Sequence, residues 1–255
     1  ISLSAGIAPA HSATAAPLPK LKTAKTLRIG FFPNLTHSPA LVAQQRKTLE
    51  RALAKEGTSI AWTSFNAGPS AIEALKGGSI DATFIGPNPA VSGYVSTHGA
   101  LLKIVAGVTN GGAQFITKPS ITTVADLRGK TFATPQLGNT QDVALRAYLK
   151  SKGYSVSLLG SGDVNIAPTS NATTLSLFKT GDIDGAWVPE PWASRLVLEG
   201  NGRVFLDEKS LWNKGKFATT VLVAKKGYLK AYPGTCDCST NSRWLLARQR
   251  SQLTD

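Results

Sequence analysis

One passage of this chain occurs in it twice, and that repetition limits the possible folds more than any other feature. Ala71-Ile-Glu-Ala-Leu-Lys-Gly-Gly-Ser-Ile-Asp-Ala-Thr-Phe-Ile85 lies on Thr174-Leu-Ser-Leu-Phe-Lys-Thr-Gly-Asp-Ile-Asp-Gly-Ala-Trp-Val188 without a gap. Each copy reads as a helix stopped by a glycine, an Ile-Asp pair, and a short buried strand. A second block agrees at nearly the same spacing: Thr36-His-Ser-Pro-Ala-Leu41 falls on Thr140-Gln-Asp-Val-Ala-Leu145. Two blocks at one spacing predict two similar lobes.

The surrounding pattern predicts strands at Leu27–Phe32, Ser59–Phe65, Ala82–Ile85 and Leu102–Val108, with helices over Pro39–Glu56, Pro69–Lys76 and Pro89–Thr97. The second set has strands at Thr131–Thr134, Val164–Pro168, Gly185–Val188 and Arg203–Leu206, with helices over Gln141–Lys152, Asn171–Lys179 and Trp192–Leu198. Strands alternating with helices give an α/β fold on largely parallel sheets, here two Rossmann-like lobes with a cleft between them.

Several function classes lose their support in the residues. Twenty-eight Lys and Arg against 15 Asp and Glu leave a net charge of +13, yet the basic residues come singly or in pairs, as at Arg46-Lys47 and Lys225-Lys226. Nucleic-acid binding needs a basic face or aromatic-basic interleaving, and neither occurs. The two cysteines, Cys236 and Cys238, and the scattered His11, His37 and His98 form no metal-ligand spacing. Phosphate-binding P-loops and nucleophile-elbow motifs are absent too, so no metal, cofactor or catalytic residue is expected.

The first 16 residues are small and apolar, with A-x-A sites at Ala8-Pro9-Ala10 and Ala13-Thr14-Ala15, as at the end of a secretory signal peptide. Residues 1–26 therefore read as a signal-peptide remnant or disordered leader, and the location as extracytoplasmic.

In open α/β sheets ligands bind beyond the carboxyl ends of strands. Four loops hold that position: Pro33 to His37, Gly86 to Pro89, Gly138 to Asp142, and Pro189 to Trp192. They supply neutral donors, namely Asn34, Thr36, His37, Asn88, Asn139, Thr140 and Gln141, with backbone amides freed by Gly86, Gly111, Gly112 and Gly138. Helix N-termini bind oxyanions through unpaired N–H groups and the helix dipole, without any Lys or Arg. Asn and Thr before a helix also serve as ordinary caps. Asp142 and Glu190 are the acids of these loops: either could bind a ligand ammonium, and Asp142 could equally compensate a helix dipole. Trp192 would wall the cleft against a short alkyl chain. With no nucleophile, base and orienter in register, the chain reads as a binding protein and not an enzyme.

Arg28-Ile-Gly-Phe-Phe-Pro-Asn-Leu-Thr-His-Ser-Pro-Ala-Leu-Val-Ala43, Ile80-Asp-Ala-Thr-Phe-Ile-Gly-Pro-Asn-Pro89, Leu137-Gly-Asn-Thr-Gln-Asp-Val-Ala-Leu-Arg146 and Asp184-Gly-Ala-Trp-Val-Pro-Glu-Pro-Trp-Ala193 resemble the substrate-binding proteins of ABC importers for aliphatic sulfonates, taurine and nitrate. The resemblance runs from about residue 27 to residue 234 and implies a type II periplasmic binding protein fold. It places lobe 1 at 27–114, lobe 2 at 115–215, a return to lobe 1 from 216, and crossover strands near Gln114 to Lys118 and Thr219 to Ala224. A small oxyanion would meet Thr36, Asn88, Gly112, Thr140 and Gln141, with Glu190 and Trp192 shaping what hangs from it. The implied partners are a membrane permease and its ATPase, for a monomeric receptor on the outer side of the membrane, with lipid anchoring left open. Nitrate, bicarbonate or a thiamine-precursor pyrimidine are rival ligands, and a pyrimidine synthase or small dehydratase on this fold is the enzymatic alternative. After Thr235 the composition departs from the family pattern, so 236–255 reads as a truncated or frameshifted tail.

Overall fold

The repeated Ile-Asp pair has a mechanical role in both halves. In this computed structural model, which describes residues 21–159 and 161–235, Asp81 and Asp184 each follow a buried isoleucine, Ile80 and Ile183. Asp81 Oδ2 accepts the backbone N–H of Arg28 at 2.9 Å, and Asp184 Oδ2 accepts that of Thr131 at 2.9 Å, each across a 53-residue separation. The two aspartate N–H groups donate back to the carbonyls of Arg28 and Thr131 at 2.8 Å. Each carboxylate therefore ties the strand that it precedes to the parallel strand beside it, which holds Arg28 in one lobe and Thr131 in the other.

The first lobe is a five-stranded sheet in the order β2-β1-β3-β10-β4: β1 Thr26–Phe31, β2 Ser59–Ser64, β3 Ala82–Ile85, β4 Leu102–Asn110 and β10 Ala218–Lys225. The second has the order β7-β6-β8-β5-β9: β5 Ala113–Thr117, β6 Thr131–Thr134, β7 Asn165–Pro168, β8 Gly185–Pro189 and β9 Arg203–Asp207. The orders superimpose. In each sheet the strand second in that order, β1 or β6, pairs in parallel with both its neighbours, β2 and β3 or β7 and β8, and the fourth position is an antiparallel strand, β10 or β5.

The stretches expected as crossovers, Gln114 to Lys118 and Thr219 to Ala224, coincide with these antiparallel strands. The backbone itself passes between the sheets at their ends, through Gly111-Gly112 and Lys216-Phe217. Both glycines have positive φ, 75° and 82°, a conformation that disfavours side chains.

Helices cover both faces of each sheet. In lobe 1, α1 (Ser38–Gln45), α2 (Thr48–Leu53) and α8 (Lys226–Ala231) lie over one face, and α3 (Gly68–Lys76) and α4 (Pro87–Val95) over the other. In lobe 2, α5 (Thr140–Ser151) covers one face, and α6 (Asn171–Thr180) and α7 (Trp192–Gly200) the other. The single helix expected over Pro39–Glu56 is interrupted at Lys47, which has φ 49° and ψ 39°. A continuous helix burying Ala40 and Ala43 would have carried Lys47 and Glu50 inward on the 3.6-residue period. The break resets the phase, and Leu49 and Leu53 are buried instead. The signal-peptide reading of the first residues and the tail reading of 236–255, with both cysteines, lie outside the described residues.

Candidate anion-binding cleft

Four helical starts converge between the sheets. Asn34, Thr36 and His37 come from the short 3-10 turn leading into α1; Ala67 and Gly68 from the start of α3; Gly86 and Pro89 from the start of α4; and Asn139, Thr140 and Gln141 from the start of α5. With Phe32, Asn66, Pro135, Pro189 and Thr219 they enclose a small cavity, with about 20 Å³ open to the centre of a water molecule. Among the described residues no Lys, Arg, Asp or Glu lines it. The aligned peptide dipoles of the helices give its wall a positive potential without a formal charge.

Asn34, Gln141 and His37 have acceptors in use and donors free, whereas Asn66 spends its amide N–H on Pro135 O and leaves Oδ1 open. Asn34 Oδ1 accepts from Trp192 Nε1 at 3.1 Å, which leaves its amide N–H₂ unengaged. Gln141 Oε1 accepts from Asn139 Nδ2 at 3.1 Å, with the same result. His37 Nδ1 accepts the backbone N–H of Phe32 at 3.2 Å, so the neutral ring carries its proton on Nε2. Burial lowers the His37 pKa to about 3, and the ring is uncharged at neutral pH. Thr140 Oγ1 is buried without a hydrogen-bond partner. Asn139 is the N-cap of α5, its Oδ1 accepting from Asp142 N at 2.8 Å.

Of the residues singled out from sequence, Asn34, Thr36, His37, Asn139, Thr140 and Gln141 share the cavity, and Asn88, Gly112, Glu190 and Trp192 do not line it. Asn88 belongs to the first turn of α4. Gly112 stands behind Thr36 and gives its carbonyl to Glu190 N at 2.9 Å. The Glu190 carboxylate accepts from Ser194 N at 3.1 Å and Ser194 Oγ at 3.0 Å, within the start of α7. Trp192 joins the lobes through Asn34 and carries the Arg195 guanidinium 4.8 Å over its ring. Asp142, almost wholly buried, accepts from Thr134 Oγ1 and Gly138 N and pairs with Arg146 at 2.9 Å, so neither its carboxylate nor the Gly138 amide is free for a ligand. Sequence reasoning missed Asn66, Gly68 and Pro135, which reach the cleft only through the facing of the lobes; the helix-starting Gly68-Pro69 was their one available signal.

The lobes touch directly. Leu35 N donates to Glu190 O at 2.8 Å, Asn66 Nδ2 to Pro135 O at 2.9 Å, and Ser70 Oγ to Gln136 Oε1 at 2.9 Å. A Cβ on Gly86 would fall inside the Thr140 hydroxyl. Beside the hinge, Thr109 Oγ1 and Thr220 Oγ1 both donate to Thr36 O, at 2.7 and 2.8 Å, and Thr219 Oγ1 donates to Gly111 O at 2.5 Å. The hinge strands thus hold the turn that presents Thr36 and His37.

Two α/β lobes with matching sheet orders, joined by a double crossing and closing on a cavity at their helix N-termini, define a type II periplasmic binding protein fold. The chain belongs to the NMT1-like family, whose model matches residues 21–242. It is 27% identical over 196 residues to the taurine-binding periplasmic protein of Escherichia coli K12, a match covering 76% of this chain and 58% of that one. A putative aliphatic sulfonates-binding protein of the same organism is 29% identical over 198 residues, again 76% of this chain and 58% of the other. These matches span a little over half the length of either relative. Among solved structures, the alkanesulfonate-binding protein of Xanthomonas axonopodis pv. citri bound to MOPS is similar with a TM-score of 0.70 at 26% identity, over 84% of this chain and 70% of that one. The periplasmic nitrate-binding protein of Synechocystis PCC 6803 shares the fold, with a TM-score of 0.69 at 18% identity over 86% and 60% of the two chains.

Proposed function

We propose that this chain is the extracytoplasmic solute-binding component of an ABC importer, capturing a small oxyanion, an aliphatic sulfonate, between its lobes for delivery to a permease driven by an ATPase. The observation that carries this reading is the set of unengaged donors on Asn34, His37, Thr140 and Gln141 around one uncharged cavity. A sulfonate has three acceptor oxygens and no proton to give, so it completes those donors without leaving a buried charge unsolvated. The sulfonate-binding names of the relatives agree with the chemistry of the wall. Proline-rich loop ends and a pair of hinge crossings suit a receptor that opens and closes.

A binding role also fits His37 better than a catalytic one. With its pKa near 3 and its Nδ1 tied to a backbone N–H, the ring is a poor base at neutral pH and has no carboxylate to orient it. The small volume of the cavity also suits nitrate, which makes nitrate the rival ligand.

Isothermal titration calorimetry of the purified chain with methanesulfonate, ethanesulfonate, nitrate and sulfate tests the reading. Saturable binding of the alkanesulfonates is expected, with a melting temperature that, in a parallel thermal scan, rises with the logarithm of ligand excess. Binding of nitrate alone would keep the receptor and change its cargo, and absence of binding to every anion would overturn the proposal.

A further inference from the structure

We infer that the cleft selects against a ligand ammonium: of two sulfonates of the same size, it takes the one whose tail carries no positive charge. This deepens the proposed function and rests on it. No carboxylate faces the cavity among the described residues, and the backbone carbonyls around it are largely engaged. The carbonyls of Thr36 and Pro135, which line the cleft, and those of Gly111, Gly112 and Glu190, outside its lining, all accept hydrogen bonds within the protein. The acceptor oxygens of Asn34 and Gln141 are likewise in use. What faces a ligand is N–H on Asn34, His37 and Gln141, the hydroxyl of Thr140, and one free amide oxygen, Asn66 Oδ1, which carries no formal charge to meet an ammonium.

An ammonium has three protons to give and none to receive, and it needs a carboxylate or several free carbonyls when it leaves water. Among the described residues no carboxylate lines the cavity. The two acids nearest in the chain are committed elsewhere. Glu190 is bonded to Ser194 through both oxygens. Asp142 is bonded to Thr134 and Gly138 and neutralised by Arg146. The convergent N-termini of α3, α4 and α5 add a positive potential that favours the sulfonate and opposes a second, cationic group a few ångströms away.

Taurine and ethanesulfonate are a matched pair, differing by one ammonium on the same two-carbon sulfonate. Isethionate, which carries a hydroxyl there, controls for size and polarity. In calorimetric titrations at pH 7 we expect ethanesulfonate to bind at least ten-fold more tightly than taurine, with isethionate within a few-fold of ethanesulfonate. Taurine binding as tightly as ethanesulfonate would overturn the inference while leaving the sulfonate receptor standing. Isethionate rejected as strongly as taurine would also overturn it, because bulk and not charge would then be the cause. Failure of all three sulfonates to bind would remove the proposed function and this inference together.

Discussion

Thr140 is buried with its hydroxyl unpartnered, a condition that costs free energy in the empty protein and is relieved when an acceptor arrives. Thr140→Val keeps the shape and removes the hydroxyl. The empty variant should be as stable as the parent or more so, by up to about 1 kcal/mol, while alkanesulfonate affinity falls ten-fold or more, since a bond to a charged group contributes about 1.5–3 kcal/mol. Calorimetry beside thermal melting separates the two effects, and unchanged affinity would mean that the hydroxyl does not touch the ligand. Two other buried groups act on stability through protons. Burial lowers His37 from 6.5 to about 3. It raises Glu208 from 4.5 to about 7 against the lowering effect of the Trp187 and Trp212 side chains, the Trp187 indole donating at 2.8 Å. Between those two reference values the unfolded chain holds a proton on His37 that the folded chain lacks, so stability rises with pH. The folded chain holds one on Glu208 that the unfolded chain has lost, so stability falls with pH. Each slope is about 1.4 kcal/mol per pH unit, and they cancel. Urea unfolding should therefore give a nearly flat profile from about pH 4.5 to 6.5 in the parent. In Glu208→Gln the His37 slope should emerge, with about 2–3 kcal/mol lost on acidification across that window; parallel profiles would show that Glu208 titrates elsewhere.

At the scale of elements, the aspartates of the repeat are strand ties of unequal strength. Asp81 holds Arg28 through its backbone and, at 2.6 and 2.9 Å, through its guanidinium, whereas Asp184 holds the backbone of Thr131. Asp81→Ala should cost about 2–4 kcal/mol in urea unfolding and Asp184→Ala about 1–2, because the first removes a charged partner as well as an acceptor. Equal losses would show that the half-exposed Arg28 side chain adds nothing. The same elements show what a sequence discloses. The helix, the stopping glycine, the Ile-Asp tie and the buried strand are all local, so both copies could be read from residue types alone. The break at Lys47 has no such mark: a lysine in a left-handed conformation is fixed by the need to bury Leu49 and Leu53, a tertiary demand. In the cleft, Asn34, Thr36, Asn139 and Thr140 were legible because helix starts select these residue types. Glu190 and Trp192 stand in a cleft loop outside the cavity lining, bonded to Ser194 and Asn34, and no spacing announces such partners.

For the whole molecule, the question is what limits closure. The four cross-cleft hydrogen bonds are worth about 1 kcal/mol each after solvent exchange, so the contact between lobes is a latch of a few kcal/mol and not a fixed interface. Gly86 lies at its tightest point. Its φ of −67° and ψ of 151° suit any residue, so Gly86→Ala introduces no backbone strain; the nearest atoms to the added methyl are the Thr140 hydroxyl and, at 3.2 Å, the Thr140 Cβ across the cleft, then the Pro89 ring at van der Waals distance. The substitution therefore acts on closure and spares each lobe. The variant should melt close to the parent when empty, bind ethanesulfonate at least ten-fold more weakly, and fail to contract in small-angle scattering at saturating ligand. Gly107→Ala is the control, since Gly107 is on β4 with open space where the methyl would go, and it should bind and contract as the parent does. If Gly86→Ala binds and contracts normally, Thr140 gives way at little cost and the limit to closure lies in the hinge at Gly111-Gly112, whose positive φ values only glycine adopts freely.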